Sequence, residues 1–343
     1  MRAVLVTAFA DTPDLVEVPD PACPDDGVVV AVEATGLCRS AWHGWMGHDD
    51  GITLPHVPGH ELAGRVVDVG PDVRRWQVGD RVTTPFVLAC GGCATCARGD
   101  GQVCERQLQP GFTQWGSFAE LVALPRADRN LVRVPDEVDA DVAAGLGCRF
   151  ATAYRAVAHV ARVPAGETVV VHGCGGVGLA AIMVALARGA HVLAIDPAPV
   201  SRALAAELGA TPLAVPAEFA DAIDGGADVS LACFGSQVTL DASVACLRPR
   251  GRHVQVGLLG GDDARPMLDM GRVVGLELQL LGRHGMPATA YPELLALVAD
   301  GALAPQRLLR DRIGLDLAGS RLAALGEPGA GAGGVTVIRP DLG

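Results

Sequence analysis

The stretch TVVVHGCGGVGLAAIMVALARGAHVLAID, Thr168 to Asp196, decides how the rest of the chain is read. Val169, Val170 and Val171 form a β-branched run. Gly173, Gly175 and Gly178 then fall into G-x-G-x-x-G, and Leu179 to Arg188 follows as a helix former that stops at Gly189. Each glycine has a physical task. The first permits a sharp exit from a strand, the second lets backbone amides approach a pyrophosphate, and the third lets the helix lie close on the sheet. Gly176 and Val177 complete the loop and belong to the same expected contact surface. Phosphates would sit at the helix N-terminus, where unpaired amides and the helix dipole favour negative charge. His191 to Ile195 reads as a second strand ending in Asp196, 18 residues past Gly178. A carboxylate there can accept hydrogen bonds from both ribose hydroxyls and would repel a 2′-phosphate, which favours NAD over NADP. With 44 glycines in the chain, an ordinary βαβ turn is the competing reading. The strand before the motif, the helix after it and the acidic residue beyond argue for a Rossmann dinucleotide site.

A chain of 343 residues is long enough for two domains, each with its own core. Half the residues are hydrophobic, yet no uninterrupted apolar run reaches the roughly 18 residues of a membrane helix. The first residues, MRAVLVTAFADTPD, hold only a short apolar run leading into acidic ones, so they read as a first strand and not a signal peptide. A soluble, cytoplasmic protein is expected. The net charge of -12 argues against nucleic acid or another polyanion as partner. All 27 basic residues are arginine, which excludes an internal Schiff base, a pyridoxal phosphate anchor and a phosphate-loop lysine. Ten cysteines without a secretory signal point to metal before disulfides.

The N-terminal third alternates short Val-rich strands (Ala3 to Val6, Val28 to Val32, a strand-like run from Leu62, Arg81 to Thr84) with Pro, Asp and Gly punctuation. Between them lies GLCRSAWH, where Cys38, Ser40 and His43 put a thiol, a hydroxyl and an imidazole in one short segment. His60 and Glu61 follow at the mouth of the Leu62 strand. Cysteine plus histidine is half a zinc site, and Cys148 can supply a second thiolate. Three ligands of this kind leave a fourth tetrahedral position for water or substrate, as catalytic zinc requires. Cys90, Cys93, Cys96 and Cys104 follow C-x2-C-x2-C-x7-C in a Gly-rich loop. Four thiolates can close a tetrahedron and leave no open position, so this second site is expected to be structural. An iron–sulfur cluster is the competing reading, but its usual runs are spaced differently. Cys23, Cys174, Cys233 and Cys246 have no such grouping.

Cys38, the Gly59-His60-Glu61 triplet, the four-cysteine loop, Cys148 and the later G-x-G-x-x-G together resemble the zinc-dependent medium-chain alcohol dehydrogenases, over nearly the whole chain and in that family's order. The resemblance implies an α/β fold in which a GroES-like, β-rich catalytic domain (1–150 and 286–343) carries both zinc sites and is interrupted by a Rossmann NAD-binding domain (151–285). It implies two zinc ions per chain, NAD as cofactor, a small alcohol or carbonyl substrate and a homo-oligomer, dimer or tetramer. It assigns Ser40 to take the hydroxyl proton and His43 to pass it toward solvent by way of the cofactor ribose. It sets Arg39 near the pyrophosphate, Glu61 behind the metal, and Phe86 and Trp115 at pocket-lining positions. Beyond Asp196, Ser201 to Leu208 reads as a helix, Ala227 to Phe234, His253 to Leu258 and Leu276 to Leu281 as strands, Tyr291 to Ala299 as a helix, and Val335 to Ile338 as a closing strand.

Three function classes are compatible with this: zinc-dependent hydride transfer between NAD(H) and an alcohol, aldehyde or ketone; reduction of activated C=C or C=N bonds on the same fold; and a dinucleotide-binding protein whose metal is only structural. Ser40 and His43 favour the first. One position departs from the family pattern. Ala41 stands where the resemblance implies an aspartate that receives a hydrogen bond from the metal-bound imidazole and raises its basicity. Alanine cannot do this, so a weakened catalytic zinc or impaired alcohol oxidation is expected.

Overall fold

The structure, a computed structural model, describes all residues except Ile223, Pro328 and Gly343, and the backbone alone for Ala220, Asp221 and Asp262. The chain divides into two compact units. One comprises Met1–Ala151, Gly285–Ala330 and Val335–Gly343, the other Thr152–His284 and Gly331–Gly334.

In the first unit, strands Leu309–Ile313, Val335–Ile338, Val28–Gly36, Leu62–Val69, Arg81–Thr83 and Val132–Arg133 pair in that order, and Leu121–Leu124 also pairs with Val28–Gly36. Every pairing is antiparallel except the one between Leu309–Ile313 and Val335–Ile338. Val28, Val30 and Val32 alternate along their strand and meet Leu62, Val66, Val82 and Leu124 in one apolar cluster, as a period-two pattern requires. That strand runs four residues past the expected Val32, to Gly36. The extension positions the site. Thr35 is paired with Leu62, so Cys38 emerges two residues beyond one strand and His60 lies two residues before the other. The Gly36 amide also donates to the Glu61 carbonyl, at 2.8 Å.

The second unit holds a six-stranded sheet in the order Thr211–Leu213, His191–Ile195, Thr168–His172, Ala227–Ala232, Leu247–Gln255, Gln279–Gly282, and every pairing in it is parallel. This is the doubly wound order. The chain crosses from one side of Thr168–His172 to the other after the first three strands, and such a switch point is where a ligand crevice opens. Strand boundaries shift where glycine and turn geometry intervene. Ala227–Ala232 stops two residues short of Phe234, and Leu247–Gln255 starts earlier than His253 and ends before Leu258. Gln279–Gly282 begins after Glu277, whose φ of 49° belongs to a turn. Helix Pro199–Leu208 ends at Gly209, and Tyr291–Ala299 and Val335–Ile338 stand where the sequence puts them. No helix among the described residues is long and apolar enough to cross a membrane.

Candidate active site

Cys38 precedes helix Arg39–Trp45 as its N-cap, His60 precedes strand Leu62–Val69, and Cys148 lies in the π-helical turn Leu146–Phe150. One donor atom from each lies within 4.8 Å of the others. Cys38 and His60 are buried and Cys148 is partly shielded. The donors behave as a set prepared for a cation. The hydrogen bond from Cys148, helped by the His60 ring and the Arg149 guanidinium, holds the Cys38 thiol well below its usual range. The same hydrogen bond and burial push Cys148 well above it. Among the described residues, neither ring nitrogen of His60 finds a hydrogen-bond partner, although the ring is fully buried. A buried imidazole with no partner is costly unless a ligand claims it. Two soft thiols and one imidazole form the donor set that suits zinc.

Behind these donors, Glu61 is fully buried and accepts three hydrogen bonds from one residue, Arg149. The Arg149 backbone amide and Nε reach Oε1 at 2.8 and 3.0 Å, and Nη2 pairs with Oε2. Nη1 donates to the Leu37 carbonyl at 3.1 Å. Burial raises the Glu61 carboxyl, and the facing guanidinium opposes that rise. Glu61 follows His60, Arg149 follows Cys148 and Leu37 precedes Cys38, so one arginine ties together the backbone neighbours of all three donors. Sequence reading missed Arg149. Its only signal was the adjacency to Cys148, and its partner is 88 residues away.

Ser40 and His43 share the short Arg39–Trp45 helix and, three residues apart, one of its faces. Ser40 Oγ is 3.8 Å from Cys38 Sγ. His43 is half-buried, and its Nδ1 is 3.1 Å from Nδ1 of the exposed His48, another residue the sequence did not flag. The Arg39 guanidinium donates to the Leu325 carbonyl at 3.0 Å and lies over the Trp42 ring. Phe86 is buried with its ring 6.2 Å from that of His60, whereas Trp115 is 38% exposed and donates to the Pro55 carbonyl. Ala41 is 2% exposed inside an apolar cluster with Trp45 and Leu322.

Cys90, Cys93, Cys96 and Cys104 also converge within 4.8 Å. Backbone amides point at their sulfurs. Cys90 and Arg106 donate to Cys104, and Cys96 donates to Cys93, at 3.3 to 3.4 Å. The Gly92 amide brings Cys90 down to about 6. Amides aimed at sulfur suit thiolates under a shared cation, and a four-sulfur shell leaves no position for substrate.

In the second unit the glycine loop takes the form its spacing implies. Gly173 has φ of 90°, and a Cβ on Gly178 would lie 1.9 Å from the Gly173 carbonyl oxygen, so neither position tolerates a side chain. The helix starts at Gly176, three residues before Leu179, with no side-chain cap on its exposed amides. A Cβ on Gly175 would meet nothing within 4 Å, leaving open space in front of that N-terminus. Asp196 accepts from the Cys174 amide at 2.7 Å and the Ala198 amide at 2.8 Å, which fixes its carboxylate at the end of the second strand. The uncapped amides and the fixed carboxylate fit a dinucleotide.

Comparison with known proteins agrees with this geometry. Residues 24–136 match the alcohol dehydrogenase GroES-like domain and residues 176–300 match the zinc-binding dehydrogenase domain. An alcohol dehydrogenase from Geobacillus stearothermophilus is 33% identical over 279 residues, spanning 78% of this chain and 81% of the relative. An L-threonine 3-dehydrogenase from Streptomyces coelicolor is 33% identical over 84% of this chain and 85% of its own. A zinc-binding dehydrogenase from Sinorhizobium meliloti, solved bound to NADP, superposes with a TM-score of 0.88 at 28% identity, covering 99% of both chains.

Proposed function

Because the chain belongs to the zinc-dependent medium-chain dehydrogenase/reductase family, we propose that it oxidises a small alcohol, or reduces the matching aldehyde or ketone, with NAD(H). The observation that carries the proposal is the buried Cys38, His60 and Cys148 set, which offers three ligands, beside a separate four-cysteine set. When bound, zinc supplies a Lewis acid for the substrate oxygen and the nicotinamide supplies a hydride acceptor.

In this reading Cys38, His60 and Cys148 hold the catalytic zinc, and Cys90, Cys93, Cys96 and Cys104 hold a structural one. Glu61, clamped by Arg149, keeps the His60 segment in register with the Cys148 turn. Ser40 accepts the substrate hydroxyl proton, and His43 moves it outward. Burial first, then the neighbouring His48 and Arg39, lower the His43 pKa, so the ring is neutral and able to accept a proton near neutral pH. The amides from Gly175 to Gly178 bind the pyrophosphate with help from Arg39, and Asp196 holds the adenosine ribose and disfavours a 2′-phosphate. The domain assignment follows the same reading: residues 1–150 with 286–343 carry the metal sites, and 151–285 bind the dinucleotide.

We assign the protein to the cytoplasm and expect a dimer or tetramer. Support for association is the last strand of the parallel sheet, Gln279–Gly282, which among the described residues pairs on one side only and is accompanied by exposed Leu280, Val274 and Met270. Oxidation of a panel of primary and secondary alcohols with NAD, run beside reduction of an enal and of a cyclic iminium, tests the activity. Formation of reduced nicotinamide with at least one alcohol is expected. Turnover of the enal or iminium alone would move the protein to the reductases of C=C or C=N bonds.

A further inference from the structure

His48 is an exposed residue outside every motif named above, yet its imidazole is hydrogen-bonded ring to ring with His43, Nδ1 to Nδ1 at 3.1 Å. The pair is held in place. The His48 amide donates to the His43 carbonyl at 3.0 Å, and Trp42 packs edge-on against both rings, at 5.0 Å from His43 and 5.7 Å from His48. The Arg39 guanidinium lies over the Trp42 ring, 5.0 Å from its centroid. Asp49, next to His48, is turned to the Gly51 amide, so its Oδ1 is already engaged. A Nδ1-to-Nδ1 bond between two neutral imidazoles needs a proton on one and a lone pair on the other, which is the arrangement a proton hand-off requires.

We propose that His48 is the outer member of a two-histidine proton relay, taking from His43 the proton released by alcohol oxidation and delivering it to bulk water. The inference rests on the reading of His43 as a proton carrier. A proton arriving on Nε2 of His43 makes an imidazolium. The bond from Nδ1 to that proton's counterpart breaks as a new N–H bond forms at Nδ1 of His48, and His48 then gives its Nε2 proton to water. One proton enters, one leaves, and no electrons are exchanged. Rotation or solvent exchange at the exposed His48 ring resets the direction of the shared hydrogen bond, and carbonyl reduction runs the sequence backwards. Burial, together with the positive Arg39 guanidinium, disfavours a lasting positive charge on His43, which favours passing the proton outward.

The test is proton release, followed with an indicator dye in a single turnover of the fastest alcohol of the panel, in weak buffer. His48→Gln is expected to slow release by about 3- to 10-fold, less than the roughly 100-fold floor for loss of a group that itself transfers the proton in the transition state. Added imidazole should restore it, a rescue that a purely structural role would not show. His43→Gln is the control. If His43→Gln slows release and His48→Gln does not, the relay ends at His43 and the proposal fails while the underlying reading stands. If neither variant slows it, both fail. In cofactor-free protein, nitrogen NMR should show coupling between the two Nδ1 atoms across their shared proton, lost in His48→Gln; its absence in the wild type would overturn the pairing independently of activity.

Discussion

Replacing Arg149 by methionine should damage the first unit more than any surface change of the same size. The guanidinium supplies two of the three hydrogen bonds that Glu61 accepts, and Glu61 has no exposure to water. Methionine fills much of the volume but leaves a buried carboxylate with one remaining donor, the backbone amide of residue 149. Breaking such a pair from one side costs about 3–5 kcal/mol, because the stranded charge keeps its desolvation penalty. The Leu37 carbonyl also loses its donor, adding about 1 kcal/mol. Removing both partners tells the two effects apart. In Arg149→Met with Glu61→Leu the stranded charge is gone, and the loss should shrink to about 1–2 kcal/mol. The assay is urea unfolding followed by tryptophan fluorescence. All four tryptophans, Trp42, Trp45, Trp76 and Trp115, lie in the first unit, so the signal reports that unit alone. A single variant that costs under about 1 kcal/mol, or a double variant as unstable as the sum of the singles, would refute the clamp.

Three further outcomes are expected. Asp196→Gly removes the ribose acceptor and the repulsion of a 2′-phosphate, so the ratio of NADP to NAD efficiency should rise in kcat/KM; a wild type that already prefers NADP contradicts the assignment. His172 and His253, buried in the parallel sheet and each lowered to about 4, chiefly by burial, bind fewer protons folded than unfolded between pH 4 and about 6.5. Stability of that unit should therefore fall as pH drops through this window, by about 3 kcal/mol per histidine at its lower end. Hydrogen exchange of the 168–172 strand, corrected for intrinsic rate, checks it, and replacing both histidines by leucine should flatten the profile. Ala41→Asp should slow loss of zinc to a mild chelator and speed alcohol oxidation, because neither nitrogen of His60 has an acceptor in the wild type. A partner of that kind is typically worth about 10- to 100-fold in affinity or activity. If zinc loss is unchanged and the protein is merely less stable, the carboxylate has found only the apolar cluster around Ala41.

Apart from the Cys38, His60 and Cys148 set, whose members are remote in the chain and which donor chemistry and the family resemblance brought together, what the sequence made legible was what lies close together in it. The glycine loop, the four-cysteine loop and the Cys38 segment each lie within at most 15 consecutive residues, so spacing carries their geometry. The glycine helix began three residues early because Gly176 to Gly178 serve both as loop and as first turn, a double role that propensity does not reveal. Strand ends moved for a similar reason. Val28–Gly36 is extended to its end by pairing with Leu62–Val69 and Val335–Ile338, and those partners are remote in the chain. Arg149 and His48 stayed hidden on the same ground. An arginine beside a cysteine and a histidine in a Gly-Asp stretch acquire meaning only once Glu61 and the His43 ring are brought against them.

On the proposed reading, Cys38, His60 and Cys148 hold the zinc that works, and Cys90, Cys93, Cys96 and Cys104 the zinc that only supports. Zinc content and NADH formation measured together on wild type, Cys38→Ser and Cys96→Ser test it directly. Two equivalents of zinc and turnover are expected in the wild type. Cys38→Ser should lose turnover and keep its fold, whereas Cys96→Ser should lose one equivalent together with stability. A Cys38→Ser protein that still turns over alcohol at the wild-type rate, or a wild type holding a single zinc, would contradict the account.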